Sequence, residues 1–109
     1  MVDGLWTVEF SSALNLYGSG VLVLHKKRLL GGDAGYYYSG KYDVKNNTIC
    51  GEVDVIRFDE NSISVVGDLD QFCLTFTGQL SEDEFTGVAE VKNKPGLMVN
   101  IRCRRKESL

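Results

Sequence analysis

Residues 35–58 read GYYYSGKYDVKNNTICGEVDVIRF, two stretches of alternating character joined by an Asn-rich turn. In the first, Tyr36, Tyr38 and Tyr42 fall on one parity, and Tyr37, Ser39 and Lys41 on the other. In the second, Ile49, Val53 and Val55 share a parity opposite to that of Glu52 and Asp54. A period of two places successive side chains on opposite faces of a sheet, so each stretch predicts a strand with one buried and one wet face. Lys45-Asn46-Asn47 suits the turn between them, because Asn tolerates positive φ at little cost.

The same rhythm extends in both directions. Strands are predicted at residues 4–12, 17–26, 28–31, 35–44, 48–58, 71–80, 85–92 and 97–104, with Gly, Asn or Asp punctuating the chain every 8 to 12 residues. Lys26-Lys27, the acidic turn Ser81 to Glu84, and Asn93-Lys94-Pro95-Gly96 mark further reversals. Residues 59–70 carry the weakest pattern; a helical turn at Asp59-Glu60-Asn61 and a short strand at 62–66 are expected there. No segment sustains a 3.6-residue apolar stripe, so helix amounts to a turn or two at most. Strands of this number in one small domain must hide their edges, and closure into a barrel does so completely. The expected fold is therefore all-β: a closed antiparallel barrel of about eight strands forming a single domain over residues 1–109, with an open sandwich as the alternative.

Composition narrows the function classes. No apolar run approaches the roughly 18 residues of a membrane-spanning helix, and MVDGLWTVEF lacks the basic and apolar regions of a secretory leader. A cytoplasmic protein without membrane attachment is expected. A net charge of −3 spread along the chain gives no footprint for direct nucleic-acid binding. Arg102, Arg104, Arg105 and Lys106 read as a solvated basic tail, or else as a site for an anionic partner. Cys50, Cys73 and Cys103 are odd in number and widely spaced, which fits reduced thiols. With no CxxC and His25 as the one histidine, neither a metal site nor another cofactor is expected. The same scarcity argues against an enzyme: no Ser-His-Asp or Cys-His set is available. Glu52 and Asp54 share a strand face, as an acid/base pair would, but a solvated outer face explains them as well.

Two features ask for a partner or a ligand. Val21-Leu22-Val23-Leu24 is apolar on both parities, whereas an exposed barrel strand turns one face to water. A packed segment of the same chain or a second copy must cover Val21 and Val23, and a homodimer is the expectation. Trp6, Phe10, Tyr36, Tyr38, Phe72 and Phe76 form the densest aromatic set. Plain core is the first account of them, and the lining of a pocket for a small apolar ligand is the second. Gly31-Gly32-Asp33 reads as a turn or bulge, since a phosphate cradle needs a following helix and a strand follows here. Glu82, Asp83 and Glu84 should be exposed, either as a simple hairpin turn or as a patch for a basic surface on a protein partner.

The order of short motifs carries a resemblance. Gly4-Leu5-Trp6 with Val8 and Phe10, then Gly18-Ser19-Gly20-Val21, then Gly31-Gly32-Asp33 and Tyr38-Ser39-Gly40, resembles GrlR-type negative regulators of type III secretion. It is similar also to small uncharacterised bacterial β-barrel proteins placed beside them. The match is firmest over residues 4–42. The resemblance implies a lipocalin-like eight-stranded barrel that dimerises and has no enzymatic activity. It implies as well a regulator that binds a DNA-binding transcriptional activator and holds it off DNA. In the regulators a run of four acidic residues fills the loop after the strand that follows the GGD motif. The matching loop here, Asp43-Val44-Lys45-Asn46-Asn47, is not acidic, and Glu82-Asp83-Glu84 lies in a later hairpin. Two function classes follow: a regulatory protein-binding module, and a carrier or sensor of a small apolar molecule.

Overall fold

Eight antiparallel strands follow one another around a closed barrel in a computed structural model that describes residues 2–109. They are β1 (Gly4–Ser12), β2 (Tyr17–His25), β3 (Arg28–Gly32), β4 (Tyr36–Lys45), β5 (Thr48–Arg57), β6 (Gln71–Ser81), β7 (Glu84–Val91) and β8 (Met98–Ser108). Each pairs with its sequence neighbour, and β8 pairs with β1 to close the ring, so no strand edge is left for aggregation. This is the all-β antiparallel barrel that the alternation predicts, and among the described residues no helix forms.

Parity translates into burial strand by strand. Tyr36, Tyr38 and Tyr42 point inward from β4 and Ile49, Val53 and Val55 from β5, while Tyr37, Lys41, Glu52 and Asp54 face solvent. Three hairpins turn at one end of the barrel through two-residue loops. Lys26 and Lys27 both take positive φ, as do Asn46 and Asn47, which matches the twist a tight hairpin requires. Asparagine adopts that conformation readily; the two lysines do so because the strand pairing on either side dictates it.

Two expectations are corrected. Residues 59–61 form no helical turn and residues 62–66 no strand. Instead β5 and β6 pair directly with each other, so the segment between them finds no free edge and crosses the barrel end as a loop. Part of its backbone is satisfied locally: Asn61 N–H donates to the Asp59 carboxylate, and Ser64 and Gly67 form an isolated bridge. The basic stretch at 102–106 is not a tail. It belongs to β8, with Arg105 on the inward parity beside Cys103. Among the described residues no segment covers the outer face of β2, where Val21 is 47% and Val23 36% exposed.

Candidate functional site

The two barrel ends are built differently. At the hairpin end Trp6 is fully buried and its ring lies 5.1 Å from that of Phe85, tilted by 56°. A bulge between Leu5 and Trp6 shifts the β1–β8 register so that Trp6 faces Arg105. The Arg105 guanidinium covers the indole at 5.8 Å and bonds to Asp83 across the β6–β7 turn. The indole N–H donates to Val2 O, and the Tyr42 hydroxyl donates to Asp3. Aromatic rings and a cation thus plug this end.

Above the plug the barrel is hollow. A cavity of about 340 Å³ extends from Phe85 and Val8 to the opposite end. Phe10, Tyr36, Tyr38, Phe72 and Phe76, expected as interior contacts, all line it. Trp6, expected with them, does not, because the bulge places it in the plug beneath. Aliphatic side chains from β5 to β8, among them Val55, Leu74, Ala89 and Val99, make up the wall. Tyr17, Ala34 and Ile63 both line the cavity and are exposed, which locates its mouth.

The β5–β6 loop roofs part of this mouth. Ser62 to Val66 line the cavity, and Val66 is buried against the core. Anchors come from three sides. The Ser12 hydroxyl donates to Val65 O, the Tyr36 hydroxyl to Leu69 O, and Arg57 donates to Ser62 O while pairing with Asp68 and Asp70. Gly35 permits the approach, since a Cβ there would run into the Ser62 side chain. This roof lacks any period in the sequence, so alternation does not mark its residues as cavity lining.

Among the described residues one acidic side chain faces the cavity. Asp33 follows β3 and closes an Asx turn: its Oδ1 accepts the N–H groups of Gly35 (3.0 Å) and Tyr36 (2.9 Å), and its Oδ2 accepts the Tyr38 hydroxyl. Burial, then the hydrogen bond to Asp33, then its charge, hold the Tyr38 phenol well above the usual tyrosine range, so it stays a neutral donor. Cys103 lines the floor, and burial pushes its thiol up to about 12. A protonated thiol is a poor nucleophile, so the floor behaves as an apolar surface. Of the other motif glycines, Gly31 and Gly40 sit where a Cβ would strike the backbone of a neighbouring strand, and Gly32 pairs with Val21 and Tyr37. They serve close strand approach.

The acidic turn lies at the plugged end, away from the cavity. Glu82 and Asp83 are exposed and Glu84 half-buried. Asp83 pairs with Arg105, and Glu84 with Arg102 and Arg104, whose guanidinium groups hold the Glu84 carboxyl below its usual range. Much of the negative charge is therefore neutralised by β8. Glu52 and Asp54 lie on the outer face, with Glu52 paired to Lys92. No protein-family model matches the sequence, and no curated protein matches it.

Proposed function

We propose that the protein is a non-enzymatic carrier or sensor that holds a small apolar molecule inside its barrel. The observation that carries this reading is the cavity of about 340 Å³, walled by aliphatic and aromatic side chains and opening at one end. That volume falls at the lower end of the usual range for ligand pockets. At roughly 30 Å³ per non-hydrogen atom it accommodates about a dozen of them. Packing a barrel of this size solid is physically available, as the Trp6–Phe85 end demonstrates, and a void forgoes several kcal/mol of contact energy. A hollow kept at that cost is explained by an occupant. Naphthalene, an apolar probe of suitable size, is expected to produce saturable NMR shifts at the amides of Val55, Leu74 and Ala89, with the Leu24 and Ile49 amides at the plugged end unmoved. Unchanged lining amides at saturating naphthalene would sink the reading.

An outer-face observation favours a second reading, in which the chain works by contact with protein, as the resemblance to GrlR-type regulators implies. Val21, Val23, Leu30 and Tyr37 are exposed on adjoining strands, with Val23 directly opposite Leu30. Basic Arg28 and Lys41 and acidic Glu52 and Asp54 border this patch on β3 to β5. A two-fold arrangement brings the basic side of one copy against the acidic side of the other, so the occupant proposed is a second copy. Val21→Lys with Val23→Lys is expected to convert a dimer to a monomer in light scattering while leaving the circular dichroism spectrum intact. A wild-type protein that is monomeric at about 100 µM, a dissociation constant equivalent to only about 5.5 kcal/mol, would remove the dimer.

A further inference from the structure

We infer that the cavity selects a ligand with a cationic head, an apolar chain or ring ending in a protonated amine that docks on Asp33. The inference rests on the cavity being a ligand site and specifies which chemistry that site prefers. Among the described residues lining the cavity, Asp33 is the one acidic residue, and no Lys, Arg or His accompanies it. An anionic headgroup, such as that of a fatty acid, would meet a like charge, and the nearest cation, Arg57 in the roof, is already paired with Asp68 and Asp70. A cationic head meets a carboxylate in a partly desolvated setting, where opposite charges attract more strongly than in water.

The carboxylate is both oriented and incompletely used. Two backbone N–H groups fix Oδ1, and the Tyr38 hydroxyl fixes Oδ2. An ionised carboxylate has about four lone-pair positions, so three donors leave room for one from a ligand. The neighbourhood is shaped to keep this niche open. A Cβ at Gly20 would come within 2.6 Å of Gly32 O, 3.1 Å of the Tyr38 hydroxyl and 3.3 Å of Asp33 Cβ. Any larger residue at position 20 would displace the pair that presents the charge. Tyr38 cannot substitute as an anion-binding donor, because its proton is already committed to Asp33.

A purely structural role for Asp33, as the acceptor of an Asx turn, makes a different prediction, and one substitution separates the two. Asp33→Asn keeps an oxygen for the two backbone N–H groups and removes the charge. Calorimetric titrations at pH 7 with decylammonium, 1-decanol and decanoate hold the apolar part constant and change the head alone. The wild type is expected to bind decylammonium about tenfold or more tighter than decanoate, with 1-decanol between. In Asp33→Asn the decylammonium affinity should fall about tenfold, to within a few-fold of 1-decanol, with an unfolding midpoint close to that of the wild type. Equal wild-type affinity for decylammonium and decanoate, or an undiminished decylammonium affinity in the variant, overturns the inference while leaving the cavity reading in place. Binding of none of the three, together with silence from naphthalene, overturns both. Should the variant fail to fold, the wild-type ratio of decylammonium to decanoate decides by itself.

Discussion

Trp6→Ala will destabilise the barrel by about 3–5 kcal/mol, the cost of truncating a fully buried indole. Three interactions disappear together. The tilted stack on Phe85 at 5.1 Å goes, as do the indole N–H bond to Val2 O at 2.8 Å and the Arg105 guanidinium packing over the ring. Domains of this size hold about 5–15 kcal/mol in total, so the variant loses roughly a fifth of its stability or more. Urea unfolding followed by far-ultraviolet circular dichroism measures the change, since Trp6 is the sole tryptophan and fluorescence goes with it. Trp6→Phe should recover much of the loss: it restores a ring against Phe85 and leaves the Val2 carbonyl without its donor. A loss below about 1 kcal/mol for Trp6→Ala would show that the hairpin end is not held by this plug.

The plug also shows where the sequence is legible. Alternation on β1 marks Trp6, Val8 and Phe10 as inward, and the structure places all three there. Alternation records which face a residue takes, not how much of the interior its neighbours fill. Trp6 and Phe10 share a parity, yet one lies in a packed plug and the other on a cavity wall. The difference comes from the bulge at Leu5/Trp6 and from the course of the β5–β6 loop, and neither leaves a periodic trace. Arg105 was misread for a related reason. A basic run near the end of a sequence has the same composition whether it is solvated or paired, and here the strand continues to Ser108 because β1 needs a closing partner. Asp33 could be seen as a turn former after two glycines. That its carboxylate faces the cavity depends on the inward Tyr38 hydroxyl five residues on, a pairing across the β3–β4 connection. The outer valines were legible as an anomaly, because two apolar parities in one strand contradict a wet outer face, and both remain exposed.

Filling the cavity from within separates storage of a ligand from every other use of the barrel. Ala89 on β7 is 2% exposed, lies between Phe76 on β6 and Val99 on β8, and lines the cavity. Ala89→Phe projects six further ring carbons into this space. Naphthalene and decylammonium affinities should fall about a hundredfold or more, because neither molecule fits in what remains. Stability should stay within about 2 kcal/mol of the wild type. Burial of the new ring is favourable by about 1.5–3 kcal/mol, and overpacking strain of about 1–3 kcal/mol opposes it. Val88→Phe supplies the control: it puts the same ring on the same strand one residue away, where the side chain is 37% exposed on the outer face. That variant should bind as the wild type does. Equal loss in both variants would trace the effect to strand distortion, and undiminished binding in Ala89→Phe would place the ligand outside the barrel. An inner-face loss with an intact control leaves the cavity itself as the seat of binding, because the two substitutions differ in side-chain direction and in little else.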